Sequence, residues 1–272
     1  MTETTSLLPT KRKKATRKDP RVFILYGPPK CGKTTLISTL PNNLILDLEA
    51  GTEYLDAMSV NIIGWQAPEG ESAEKATKRQ KEEGLWYVTE VGKDVMKMGR
   101  PYDFITVDTA TELEEMVLPL AADMYKRTPM GKNWDGNDVR ELPRGAGYLY
   151  LRKAYKDCIG RLKKLADNLI LVGHLKDTFV EKAGKEVQAK DLDLTGKIKQ
   201  ITCAGADAIG YLHWGSAGEL LINFKSADEL LCGSRCAHLK GKEIQIGTFN
   251  PETDSVEGVS WELIYPDTIT NK

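Results

Sequence analysis

The sequence predicts an α/β domain in which a mostly parallel sheet is flanked by helices and followed by a C-terminal β-hairpin region. Three observations carry this. Val22–Tyr26 is an unbroken apolar and aromatic run that opens into a glycine-bounded loop and then a helix, the pattern of a fully buried strand. Strand-like and helix-like stretches then alternate to about residue 204, which calls for crossover connections and a parallel sheet. Beyond residue 208 the apolar runs are short and helices give way to β-rich sequence.

In chain order, residues 1–19 are polar and aperiodic and read as a disordered basic tail, leaving 20–272 as one core. Six of the 38 Lys and Arg residues fall in 11–18, and one of the 39 acids, Glu3, precedes Asp19. The body therefore carries 32 bases against 38 acids and is mildly acidic, while the tail is strongly basic. The basic run is read either as a phosphate-gripping arm or as a solvated segment. Any nucleic-acid contact by the body rests on local patches. Leu7-Leu8 is a weak candidate for docking on a neighbouring copy.

Gly27 to Thr34 fits G-x-x-x-x-G-K-[ST], the phosphate-binding P-loop. Gly27 and Gly32 allow the backbone to curl so that N–H groups face phosphate oxygens, with Pro28, Pro29, Lys30, Cys31 and Thr35 completing the cradle. The dipole at the start of the next helix adds to the same spot. Lys33 is placed on the β- and γ-phosphates and Thr34 on Mg²⁺. ATP and Mg²⁺ are the expected cofactors.

A second buried strand spans Leu44–Glu49 and a short third is expected at Asn61–Trp65. Residues 67–84 read as a solvated loop or surface helix. Val88, Val91, Val95 and Met98 recur every three to four residues, so Trp86–Met98 reads as a helix. Tyr102–Asp108 is a strand ending in an acid, the Walker B pattern, with Asp108 in the Mg²⁺ shell. A helix is expected from Thr109 to about Arg127, a long glycine- and proline-bearing loop over 128–145, and a helix over 148–166. Leu169–Gly173 is a strand ending at His174. A polar loop is expected over 175–196, a helix over 197–204, and strands at Ala208–Trp214, Glu219–Phe224, Ala237–Leu239 and Ser260–Tyr265.

The first long loop and its edges hold Lys126, Arg127, Lys132, Arg140 and Arg144 around Trp134. That combination suits backbone neutralisation with base stacking, and equally a polar surface loop. Cysteines at 31, 158, 203, 232 and 236 are odd in number and no secretory run precedes them, which argues for reduced thiols. Cys232, Cys236 and His238 form half a zinc pattern without a second pair, so ordinary packing is expected. No apolar run approaches the length of a membrane span.

Together these motifs resemble the RecA recombinase core in order and spacing, over about residues 20–265. G-P-P-K-C-G-K-T-T-L is similar to that family's first loop. Leu46-Asp47-Leu48-Glu49-Ala50 is similar to the strand end whose glutamate activates water, which implies that role for Glu49; without the resemblance Glu49 is a strand-end carboxylate. Val107-Asp108-Thr109 is similar to its Walker B strand. Val172-Gly173-His174-Leu175 stands where the family has a γ-phosphate-sensing glutamine; His174 departs from it and is otherwise a hydrogen-bonded core histidine. Thr195–Lys199, with Lys197 and Lys199, is similar to the end of the second DNA-binding loop. Arg235 with Lys240-Gly241-Lys242 is similar to a segment whose lysines reach the adjacent subunit's ATP, although Lys-Gly-Lys also suits a plain turn.

The resemblance implies a phage-type, ATP-dependent recombinase or annealing protein in the cytoplasm of a bacterial host. Single-stranded DNA, a homo-oligomer in filament or ring form and a single-stranded-DNA-binding protein are the implied partners. A nucleotide-gated DNA-binding module with little hydrolysis, a hexameric helicase-like motor and a small-molecule kinase are the competing readings. The last calls for an arginine-rich lid that the sequence does not clearly contain.

Overall fold

The structure is a computed structural model and describes residues 8, 11–62, 72–182, 185–253 and 255–270. Its strands are β1 (Val22–Gly27), β2 (Asn43–Asp47), β3 (Ser59–Asn61), β4 (Phe104–Asp108), β5 (Asn168–Lys182), β6 (Lys185–Leu192), β7 (Ala208–Trp214), β8 (Glu219–Asn223), β9 (Gly233–Ser234), β10 (Glu243–Asn250) and β11 (Ser255–Glu257). Its helices are α1 (Lys33–Ser38), α2 (Ala73–Lys97), α3 (Ala110–Met116), α4 (Leu118–Lys126), α5 (Tyr148–Leu162), α6 (Gly196–Ala204) and α7 (Pro266–Thr270).

The sheet runs β11-β10-β8-β7-β1-β5-β4-β2-β3, parallel from β7 to β3 and antiparallel from β7 to β11. This is the mostly parallel, helix-flanked core with a C-terminal antiparallel extension that the sequence predicts. Alternation along β1 explains the layering. Val22, Ile24 and Tyr26 enter a core with α2 to α6, while Phe23 and Leu25 enter a second core with Leu36, Ile37, Trp261 and Tyr265. Both faces of a parallel sheet are thereby covered. The C-terminal ends of β1, β4 and β2, and the point where β5 passes His174 and leaves the sheet, fall at one edge, where ligands of open α/β sheets bind.

Several elements differ from the sequence expectation. The charged tract before Trp86 belongs to one helix, since α2 runs unbroken from Ala73 to Lys97 behind a Ser72 cap; its Ala, Glu, Lys, Arg and Gln residues are good helix formers. The helix expected over 109–127 is two. Pro119 lacks the N–H that would meet the Glu115 carbonyl, so α3 stops at Met116 and α4 restarts at Leu118. The third strand lies at Ser59–Asn61; residues 63–65 of its expected span lie outside the described residues.

The expected loop over 175–196 is largely a β-hairpin. β5 continues eight residues past His174 and pairs antiparallel with β6. In its register Lys176 stands opposite Asp191 and Asp177 opposite Lys190, while Glu181 faces Glu186 and Lys182 faces Lys185. Ala237–Leu239 is a turn, and Trp261–Leu263 is a 3₁₀ turn leading to α7. Trp261, Ile264 and Tyr265 are buried, which is a helical spacing and not an alternation. The helix expected over 148–166 ends at Leu162.

The end of the expected tail is tied down. Arg17 donates to the Asn168 side chain and to the carbonyls of Asp19 and Asp167. Asp19, 4 % exposed, accepts from the backbone N–H groups of Asp267 and Thr268 at the start of α7. Cys232 and His238 bond to the Lys225 and Ile264 carbonyls, and no cluster of three metal-ligating side chains occurs among the described residues. No described helix is long and apolar enough to cross a membrane.

Candidate nucleotide site

The site forms where β1, β4 and β2 end side by side and β5 passes beyond the sheet. Gly27 is in register with His174, Val172 with Asp108, and Asp108 with Asp47. Sequence separations of up to about 150 residues thus collapse onto one edge.

Gly27 is required by a close approach: a Cβ there would lie 2.4 Å from the Leu212 carbonyl oxygen of β7. The loop curls through left-handed backbone at Lys30 (φ 60°) and Gly32 (φ 91°). It delivers Lys33 to the first position of α1, where the side chain is buried and Nζ donates to the Gly27 and Pro28 carbonyls at 3.1 and 2.8 Å. α1 has no side-chain cap. The leading N–H groups of a helix lack intrahelical partners, so those of Lys33, Thr34 and Thr35 suit phosphate oxygens. Pro28, Pro29, Lys30, Cys31 and Gly32 form the turn as the sequence places them.

Thr34 Oγ1 donates to Asp108 Oδ2 at 2.7 Å. A hydroxyl and a carboxylate side by side are hard oxygen donors of the kind Mg²⁺ takes, so the pair fits that ion. Burial raises the Asp108 pKa to about 6, partly offset by the Thr34 hydrogen bond and augmented by the nearby Glu49 and Asp47 charges. A divalent cation would relieve that penalty, because it supplies the positive charge the carboxylate lacks.

Glu49 is held from both sides. Thr109 Oγ1 donates to its Oε1 at 2.7 Å, and His174 Nε2 stands 2.7 Å from the same oxygen. Burial works against its ionisation, but the His174 and Thr109 hydrogen bonds outweigh it and hold the carboxyl below its ordinary range. The hydrogen bond to Glu49 raises the pKa of His174, against an opposing burial effect. The turn carrying Glu49 is built on Asp47. That fully buried carboxylate accepts from the N–H groups of Glu49, Gly51 and Thr52 and from the Thr52 hydroxyl.

Asp47, Thr109 and Trp214 belong to the site and were missed from sequence. Two acids one residue apart at a strand end, and a threonine after the Walker B acid, were the available signals for the first two. Trp214 ends β7 with its ring 3.9 Å from the place a Cβ on Gly32 would take; an aromatic closing a strand at the ligand edge was its signal.

The remaining candidates lie elsewhere. Lys240 and Lys242 precede β10 and are exposed. β10 is three strands from β1, and at about 4.8 Å per strand Lys242 stands roughly 14 Å to the side of the loop. Neither lysine joins the site of its own chain. Among the candidate DNA contacts, Arg127, Lys132, Arg144 and Lys197 are exposed. Others are engaged internally, contrary to the expectation of a free basic loop with a stacking ring. Arg140 is ion-paired with Asp138 and Glu115. Trp134 is half-buried with its edge or face against Tyr125 at 5.3 Å, and Lys126 lies over its ring. Lys199 pairs with Asp191.

The fold and this edge define a P-loop nucleotide-binding core. The chain belongs to the AAA domain family, which matches residues 19–236. Among solved structures it is similar to a crystal structure of the RadB recombinase, at 14 % identity and a TM-score of 0.44, over 89 % of this chain and 92 % of that one. No curated protein matches it.

Proposed function

We propose that the protein binds MgATP at this edge, hydrolyses it at an interface between copies of the chain, and couples the cycle to single-stranded DNA in recombination or annealing of the phage type. The observation that carries the nucleotide part is the convergence of Lys33, Thr34, Asp108 and Glu49 from three strands on one edge. Lys33 and the loop N–H groups hold the phosphates; Thr34 and Asp108 hold Mg²⁺, which neutralises charge on the transferring phosphoryl group. Glu49, kept ionised by His174 and Thr109, is a weak base that acts mainly by orienting the attacking water. His174, in register with Gly27 and 2.7 Å from Glu49, is proposed to report the γ-phosphate.

Lys240 and Lys242 are proposed to complete a neighbouring copy's site, because their position excludes their own. The DNA contacts are proposed on exposed Arg127, Lys132, Arg144 and Lys197 and on Phe179, a 69 % exposed aromatic on the β5–β6 hairpin. Trp134, Lys126, Arg140 and Lys199 then shape those surfaces from behind. A bacterial-host cytoplasm and a single-stranded-DNA-binding protein as partner are part of the same proposal.

Turnover and nucleotide binding measured on two variants test it. Lys33→Ala is expected to lose MgATP binding. Glu49→Gln is expected to keep binding and lose about 10²–10⁴ in kcat. Undiminished turnover in both variants overturns the proposal.

A further inference from the structure

An apolar cavity lies away from the nucleotide edge. It is a groove of about 600 Å³ between the C-terminal halves of α2 and α5. Val88, Met96, Leu162 and Leu165 supply its apolar lining, and Met96 is half exposed. Lys93, Lys97, Arg161 and Lys164 rim it, with no carboxylate among the lining residues. Lys93, Lys97 and Arg161 are paired with Glu90, Asp94 and Asp157 on their own helices, at positions where the base is more than half exposed. Such pairs are weak and exchange readily for an incoming carboxylate. Lys164 has no ion-pair partner among the described residues.

The groove lies at the opposite end of the sheet from the phosphate loop. α2 ends shortly before the first residue of β4, and α5 shortly before the first residue of β5. The basic run 11–18 leaves the body at the same end of the sheet, because Arg17 is fixed to Asn168 and to the Asp167 carbonyl. An apolar lining inside a basic rim, beside a basic arm, matches an occupant that is both acidic and apolar. A phosphate backbone satisfies the rim and leaves the lining bare. The chain's own basic tail is repelled by the rim.

We infer that this groove is a docking site for an acidic peptide segment of a partner protein, with apolar side chains seated between α2 and α5 and carboxylates on Lys93, Lys97, Arg161 and Lys164. The site is separate from the nucleotide edge, so its occupation leaves ATP access open.

Fluorescence anisotropy on the full chain tests this. The probe is a fluorescein-labelled peptide with a run of aspartates followed by leucine, isoleucine and phenylalanine. Saturable binding is expected, weakened about tenfold or more by the double variant Lys97→Glu/Lys164→Glu and separately by Met96→Asp. Both changes fall on exposed side chains, so the melting temperature and ATP turnover should match wild type, which separates a lost contact from a lost fold. A companion peptide with serine for the apolar residues should bind about tenfold more weakly than the probe. The inference is overturned if the probe does not bind, if the variants bind it as wild type does, if the serine peptide binds equally, or if oligothymidylate of the same charge displaces the probe as well as unlabelled peptide does.

Discussion

Glu49 and His174 are two halves of one ion pair, and their titrations bound the pH range in which that pair stabilises the fold. His174 has its pKa raised above the ordinary 6.5. Its contribution is full below pH 6.5 and is lost as pH rises through the raised value. Glu49 has its pKa lowered below the ordinary 4.5. Its contribution is full above pH 4.5 and is lost as pH falls through the lowered value. The pair therefore counts most between about pH 4.5 and 6.5. Each side chain is about one third exposed, and solvent screening keeps the gain under about 1 kcal/mol. His174→Ala should lower the melting temperature by at most a few degrees in that window. The deficit should shrink towards pH 8; a deficit constant from pH 5 to 8 shows that the residue acts by packing alone. At this scale Lys33, Thr34, Asp108 and Glu49 were legible because each belongs to a short local pattern. Thr109 was not, since its hydrogen bond to the Glu49 carboxylate exists only once β2 and β4 are paired in register, and Asp47 was missed although its hydrogen bonds run to N–H groups two to five residues on in the same turn.

Elements were legible where burial dictates composition. β1, β2, β4 and the first part of β5 are apolar on both faces and could hardly be anything else. The hairpin was not, because β5 and β6 beyond His174 carry more charged than apolar side chains, a composition that imitates a solvated loop. α2 was half legible, since its first turns show few apolar positions. α5 offers a direct check on element energetics. Gly160 is exposed within it, and a Cβ there meets nothing within 4 Å. Glycine in a helix interior costs roughly 0.5–1 kcal/mol relative to alanine. Gly160→Ala should raise the melting temperature by about 1–4 °C, read by calorimetry. No increase would show that α5 is not continuously helical there. The hairpin carries a functional prediction of its own. Phe179→Ala removes an exposed ring without disturbing the core, so ATP binding should be unchanged. Affinity for single-stranded DNA should fall by about 1–3 kcal/mol if a base stacks on that ring. Equal affinity removes the hairpin from the DNA surface.

Across the whole molecule the sheet has two ends that carry candidate sites. One gathers Gly27–Thr34, Glu49, Asp108 and His174; the other carries the basic arm and the groove between α2 and α5. Lys240 and Lys242 belong to neither, lying off to the side beyond β7 and β8. A lysine pair about 14 Å from its own phosphate loop is useful to catalysis only across a head-to-tail contact, in which one copy's β10 flank meets the next copy's nucleotide edge. That arrangement makes a prediction no single-chain mechanism shares. Glu49→Gln and the double variant Lys240→Ala/Lys242→Ala should each be nearly inactive alone. Mixed in equal amounts, they pair at random. About a quarter of the contacts then join an intact Glu49 edge to an intact lysine flank, and ATP turnover should recover to about that fraction of wild type. If the lysine variant is as active as wild type, the flank has no catalytic role. If the mixture stays as inactive as its components, the lysines serve their own chain's fold, and the site needs no neighbour.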